Sequence, residues 1–253
     1  MNRLQNKVAI VTGANSGIGL RTAQLFAEEG AILVLCARRK EKLDEVAEAL
    51  RAQGSQVLSI AADVSREEDC VRVVKEAVKA FGRVDVLVNN AGMADKHRPI
   101  TRCDGDWWHT VIDVNQNSVY YMMKAALKYM ELAGYGSIVN IASIGATRYN
   151  SGVAYTASKT AVIGMSKNVA IQFAGKGIRV NVVCPGPTLG TDLMANTLSS
   201  DPGEEQALKE HVIPMGKLGT AQDVAQAAVW LCSDMSGHTT GQALSVDGGM
   251  HAT

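Results

Sequence analysis

Apolar and polar positions alternate along this chain in two patterns. Short apolar runs rich in β-branched residues recur at 7–12, 32–37, 56–61, 84–88, 137–141, 178–183 and 243–246. Runs without polar alternation mark parallel strands buried on both faces. Between them lie segments of helical spacing at 20–29, 42–52, 67–81, 155–173 and 221–232, with a long one from Trp107 to about Leu132. Gly30 closes the first of these helices, and Met122, Met123 and Met130 read as core filler on the long one. Regular strand–helix alternation predicts an α/β fold: a doubly wound parallel sheet of about seven strands with helices on both faces. No linker or low-complexity tract breaks the order, so 1–253 reads as a single domain.

The polar residues that interrupt this pattern gather where strands end. After the first strand comes Thr12-Gly13-Ala14-Asn15-Ser16-Gly17-Ile18-Gly19, and then a helix. Glycines there let backbone approach a pyrophosphate, and the helix N-terminus offers unpaired N–H groups and a positive dipole end. The second strand ends Ala37-Arg38-Arg39-Lys40. An acid at Ala37 would bond a ribose 2′-hydroxyl, whereas cations favour a 2′-phosphate. Cations are poorly placed at a helix start unless an anion offsets them, so the reading is NADP(H), with NAD(H) as the second choice. Asp63-Val64 follow the third strand, where Asp63 also suits a turn and cap. Asn89-Asn90-Ala91-Gly92 follow the fourth, at the carboxyl ends of the strands where open α/β sheets bind ligands. His97 reads as an exposed loop histidine, and Asn115, unfavourable inside a helix, marks a kink or a hydrogen bond leaving it. Ser143 follows the fifth strand and the turn Pro185-Gly186-Pro187 the sixth. The mixed segment Thr191–Met215 reads as two short helices around Pro202-Gly203 and as a substrate loop, with Leu193, Met194, Leu198, Val212 and Ile213 as its apolar positions.

Tyr155 and Lys159 stand four residues apart, so on a helix they share a face. An ammonium beside a phenol favours the phenolate, which lowers the phenol pKa and suits it to proton transfer.

Composition narrows the partners. The 253 residues are 47% apolar and 20% charged with zero formal net charge, so no global field recruits nucleic acid or an anionic membrane. No apolar run spans a bilayer, and the N-terminus lacks a signal peptide, giving the expectation of a cytoplasmic protein. Five scattered cysteines, Cys36, Cys70, Cys103, Cys184 and Cys232, have no zinc or redox spacing and read as reduced thiols; no metal is expected.

Taken together, Thr12-Gly-x-x-x-Gly17-x-Gly19, Asn89-Asn90-Ala91-Gly92, Asn115, Ser143, Tyr155-x-x-x-Lys159 and Pro185-Gly186 resemble the short-chain dehydrogenase/reductase family over the whole chain. The resemblance implies a Rossmann-type fold and hydride transfer between NADP(H) and a ketone or secondary alcohol. It implies that Thr12, Gly13, Asn15, Ser16, Gly17, Ile18 and Gly19 form the pyrophosphate turn, with Arg38 and Arg39 at the 2′-phosphate. Asp63 and Val64 would hold the adenine, and Asn90, Ala91 and Gly92 would line the site. Tyr155 would be the acid/base and Ser143 would polarise the carbonyl. Lys159 would bind the nicotinamide ribose, and Asn115 would anchor a water in a proton relay. Pro185 and Gly186 would flank the nicotinamide. The family turn Pro-Gly-x-x-x-Thr departs here by one residue, so either Thr191 after a bulge, or Thr188, meets the nicotinamide amide. The spacing from Ser143 to Tyr155 is also one residue shorter than in many members.

Hydroxysteroids, including bile acids, and acyl-carrier-bound 3-oxoacyl groups are substrate precedents in that family. The turn 131–135 lacks docking cations, and Glu204-Glu205 would repel an acidic carrier, although Lys176 would attract one. The reading is therefore a free apolar ketone, with 3-oxoacyl-carrier reduction as the alternative. A non-catalytic dinucleotide sensor is the alternative of another class. A homotetramer or homodimer built on the helices carrying Asn115 and Tyr155 is the implied assembly.

Overall fold

The computed structural model describes residues 2–148, 151–191, 194 and 202–252, without the side chains of 202–205. Leu193, Leu198 and the side chains of Glu204-Glu205 lie outside the described residues. Seven parallel strands form one sheet in the order β3-β2-β1-β4-β5-β6-β9. Here β1 is Val8–Thr12, β2 Ile32–Ala37, β3 Val57–Ala61, β4 Val86–Asn89, β5 Gly136–Ile141, β6 Ile178–Pro185 and β9 Ala243–Val246. The order reverses between β1 and β4, which opens a crevice at their carboxyl ends. A short parallel pair, β7 (Thr188–Leu189) with β8 (Gly219–Thr220), stands apart from the sheet and was not foreseen. Two-residue strands carry no periodicity to read.

Strand residues alternate between two cores. Val8, Ile10, Val34 and Cys36 face one cluster, and Ala9, Val11, Leu33 and Leu35 the other. The first lies under α3 (Glu67–Phe81), α5 (Ser118–Ala133) and α7 (Val153–Phe173), and Met122, Met123 and Met130 pack there. The second lies under α1 (Gly17–Glu28), α2 (Lys40–Ala52) and the helix Ala221–Cys232. Burial on both faces is why the strands read as continuous apolar runs.

The long helix expected from Trp107 is interrupted. It runs as α4 (Gly105–Ile112), a π-turn over Asp113–Asn117, and α5. A π-turn adds a residue to the helical ladder and turns its side chains to new directions. Asn115 sits in that turn and is fully buried. Between β5 and α7 lies a short helix, α6 (Gly145–Arg148). In the expected substrate loop one helix is described, Pro202–His211.

Candidate active site

The carboxyl ends of the strands open into a cavity of about 1030 Å³. At one end stands the glycine turn. Gly13 and Gly17 have φ of +65° and +52°, conformations open chiefly to glycine. A Cβ on Gly19 would lie 2.2 Å from the Gly13 carbonyl oxygen, so the helix start packs directly on the turn. The first turn of α1 contains no acid, which leaves its positive end for an anion. Gly13, Asn15, Ser16, Gly17 and Ile18 line the cavity. Thr12 and Gly19 stand behind the wall. Thr12 Oγ1 accepts the backbone N–H groups of Asn90 and Ala91, each at 3.0 Å. Asn90 Nδ2 donates to the carbonyls of Thr12 at 3.0 Å and Gly13 at 3.3 Å. These bonds tie the turn to the end of β4. This cradle fits a dinucleotide pyrophosphate.

Arg38, Arg39, Asp63 and Val64 line the same cavity, as do Ala91 and Gly92. Arg39 is the N-cap of α2, and Lys40 pairs with Asp44 one turn on. Asp63 does serve as a turn residue: its Oδ1 accepts the Ser65 N–H at 3.1 Å and the Ser65 hydroxyl at 2.8 Å.

At the other end Ser143, Tyr155 and Lys159 converge on the cavity. Ser143 Oγ accepts the Gly145 N–H at 3.0 Å, and the Ser143 side chain is near enough to the Tyr155 phenol to lower its pKa. Lys159 Nζ donates to the Ile141 carbonyl at 2.8 Å and lies 5.8 Å from the centre of the Tyr155 ring. A Cβ on Gly92 would lie 3.3 Å from Lys159 Nζ and 3.2 Å from Asn115 Oδ1, so Gly92 makes room for both. Asn115 does not reach the cavity. Its Oδ1 accepts the Met93 N–H at 2.8 Å, its Nδ2 donates to the Met93 carbonyl at 2.9 Å, and Nδ2 also reaches Ser158 Oγ at 3.3 Å. The buried amide thus clamps the loop after β4 to the helix layer.

The electrostatics of the pair differ from the expectation. Burial pushes the Tyr155 phenol up to about 12, against a lowering by the nearby Ser143 side chain. Burial also pushes the Lys159 ammonium down to about 8. With the ammonium held by the Ile141 carbonyl, desolvation outweighs the attraction that would favour a phenolate. The Tyr155 phenol is therefore placed to keep its proton across neutral pH in this state.

Pro185, Gly186, Thr188 and Thr191 line the wall between the two ends. Gly190 has a φ of +74° in the turn after Leu189, and Thr191 lies beside Gly17. The Thr188 hydroxyl donates to the Gly186 carbonyl at 2.8 Å. The Thr191 hydroxyl donates to the Thr188 carbonyl at 2.9 Å and accepts the Met194 N–H at 3.1 Å.

Of the remaining wall residues, Leu208 and Met250 carry no signal in the sequence. Met194 and Val212 of the expected substrate loop line the cavity, joined by Leu208 and by Met250 from the C-terminus. Arg148 of α6 donates to the Met250 carbonyl, and Thr147 Oγ1 lies 3.1 Å from His251 Nδ1. The C-terminal turn is thereby fastened near Ser143. His97 is exposed, as expected of a loop histidine, yet it lines the cavity mouth. Only the folded loop shows this, since His97 has no periodic or motif context.

A glycine cradle at a sheet switch point, continuous with a Tyr–Lys–Ser cluster, defines a dinucleotide-dependent oxidoreductase. Residues 13–251 match a family model described as enoyl-(acyl carrier protein) reductase. The 3beta-hydroxysteroid dehydrogenase 2 of Eggerthella lenta is 38% identical, covering 98% of this chain and 96% of its own. The 3-oxoacyl-(acyl-carrier-protein) reductase FabG of Thermotoga maritima is also 38% identical, covering 98% and 99%. The crystal structure of levodione reductase superposes with a TM-score of 0.93 at 30% identity, covering 98% of this chain and 99% of that one. The chain belongs to the short-chain dehydrogenase/reductase family, NAD(P)-dependent oxidoreductases acting on CH–OH groups.

Proposed function

We propose that this enzyme uses NADP(H) to interconvert a free, apolar ketone, such as a hydroxysteroid or bile-acid ketone, and its secondary alcohol. The carrying observation is that Tyr155, Ser143 and Lys159 line one cavity with the glycine turn. The dinucleotide supplies or accepts the hydride when bound. Gly13, Gly17 and the α1 N-terminus hold its pyrophosphate. Arg38 and Arg39, with no acid at Ala37, favour the 2′-phosphate. In reduction Tyr155 donates its proton to the carbonyl oxygen. Ser143 hydrogen-bonds that oxygen as negative charge develops on it. Lys159 orients the nicotinamide ribose. Asn115 acts behind it by holding the Met93 loop, and the family resemblance alone adds a relay water anchored there.

Met194, Leu208, Val212 and Met250 make the substrate end apolar, which supports a lipophilic ketone. The likeness to the Thermotoga maritima reductase favours a second reading, a 3-oxoacyl group on its carrier. Against it, Lys176, the cation suited to dock an acidic carrier, is paired with Glu131. The cytoplasm and a homo-oligomeric assembly complete the reading.

The test is a panel of steroid ketones, sugars, acyl thioesters and simple ketones, followed by NADPH and NADH absorbance, with wild type and Tyr155→Phe. The expected result is highest kcat/KM with NADPH and a steroid-like ketone. Tyr155→Phe should lose turnover by about a thousandfold while still binding NADPH. Better turnover with NADH removes the cofactor assignment. Near-normal turnover by the variant removes Tyr155.

A further inference from the structure

The loop after β4 carries a buried carboxylate that the mechanism above leaves without a role. Asp95 is 3% exposed. Its Oδ2 accepts the backbone N–H of Tyr155 at 2.9 Å, and its Oδ1 accepts the backbone N–H of His97 at 3.1 Å. Its carbonyl accepts the Trp107 indole N–H at 3.3 Å.

Helix α7 has no cap of its own. Its N-cap residue is Gly152, which has no side chain, and its first turn contains no acid. Asp95 supplies the missing cap from 60 residues away. A carboxylate there satisfies an orphan N–H and meets the positive end of the helix dipole. The N–H it holds belongs to Tyr155 itself. Gly152 keeps that approach open: a Cβ would lie 2.2 Å from Asp95 Oδ2. Its φ of −67° and ψ of 162° suit any residue, so the glycine answers to Asp95 and not to the backbone.

The second oxygen holds a strained turn. Lys96 and His97 are consecutive non-glycine residues in the left-handed region, at φ +57° and +52°. Arg98 closes the turn with its guanidinium 4.5 Å above the Trp107 ring. The result is a fixed position for His97 at the cavity mouth.

We propose that Asp95 is a positioning residue: one carboxylate oxygen sets Tyr155 in register with the substrate carbonyl, and the other fixes the His97 wall that substrate passes. The proposal rests on Tyr155 being the acid/base. Its electrostatic side is open to measurement as well. Burial raises the Tyr155 phenol most and Ser143 lowers it; Asp95 and the buried Cys184 thiol from β6 raise it further, and the Lys159 ammonium stands on the same helix.

Full-length Asp95→Ala, Asp95→Asn, Gly152→Ala, Asp95→Ala/Gly152→Ala and Tyr155→Phe are compared with wild type for kcat, KM and NADPH affinity, using the best ketone of the panel. Asp95→Ala should lower kcat about tenfold through misplacement of the phenol and raise KM about threefold, with NADPH affinity within about twofold of wild type. Asp95→Asn keeps an acceptor for the Tyr155 N–H and should restore most of kcat. Gly152→Ala should reproduce the loss, and the double variant should be no worse than either single one, because the clashing carboxylate is gone. Wild-type kcat in Asp95→Ala, additive losses in the double variant, or a loss shared equally by NADPH binding and unrescued by Asn overturns the proposal. The Tyr155 titration, followed by ¹³C NMR of labelled tyrosine and assigned with Tyr155→Phe, needs no substrate. Its midpoint should fall in Asp95→Asn, and an unmoved midpoint counts against Asp95. An active Tyr155→Phe instead removes the acid/base reading, whereas an inactive one beside a wild-type-like Asp95→Ala removes only the role of Asp95.

Discussion

Lys159 and Tyr155 are both titratable groups taken out of water, and burial moves them in opposite directions. Each shift has a consequence for stability. The Lys159 ammonium has an ordinary value of 10.5 and is pushed down to about 8 in the fold. Between those values the unfolded chain holds a proton that the folded chain has released, so folding gains stability as pH rises through the window. Tyr155 keeps its proton up to about 12, against an ordinary value of 10.0. Above about pH 10 the unfolded chain is the one that has lost a proton, and stability falls as pH rises further. The ligand-free protein should therefore show a rising Lys159 contribution to Tm between about pH 8 and pH 10. Thermal scans of wild type and Lys159→Met across that range test it. The variant should lack the rise, and parallel curves would mean that Lys159 is not desolvated as described. The pair Tyr155-x-x-x-Lys159 takes its meaning from the glycine turn, Asn115 and Ser143 beside it and not from its spacing alone, and the sense of the pKa shift was not legible at all. Sequence supplies the neighbouring charge and hides the burial that outweighs it.

At the scale of elements, what was legible follows the range of the interactions that form it. All seven strands of the main sheet and most of the longer helices between them were readable, since each has its own apolar pattern. The β7–β8 pair, the short helix α6 and the capping of α7 by Asp95 were not. Each depends on contacts between distant residues or is too short to repeat a pattern. Asn115 stands between these cases. Its polarity inside an apolar helix called for a kink or an outside partner, and the structure has both, a π-turn and the two bonds to Met93. The partner itself could not be read, because it lies 22 residues away in a loop. Asn115→Ala should leave the backbone N–H and carbonyl of Met93 without partners, at a cost of about 1–3 kcal/mol. Urea unfolding of the ligand-free protein measures this. A loss below about 0.5 kcal/mol would mean that water replaces the clamp without penalty.

At the scale of the molecule, helix α7 joins the site to the surface. Its inward positions Ala154, Tyr155, Val162 and Ala170 are buried, while Ile171 on the same helix is 81% exposed. On the neighbouring long helix, Leu132 is 87% and Tyr120 46% exposed. Apolar side chains exposed on two neighbouring helices are the kind of surface a second copy would cover. With zero net charge, no long-range repulsion keeps copies apart. These residues lie on the two helices for which the family resemblance implies a homotetramer or homodimer. Light scattering should give the wild-type protein the mass of four chains, or of two. Ile171→Glu places a charge that would have to be desolvated at such a contact. It should shift the protein to a smaller species. Because α7 also carries Tyr155, kcat of the smaller species reports whether assembly steadies the site: a fall beyond the change in NADPH affinity would show that it does. A monomeric wild type, or an Ile171→Glu variant of unchanged mass, would remove α7 from the assembly surface.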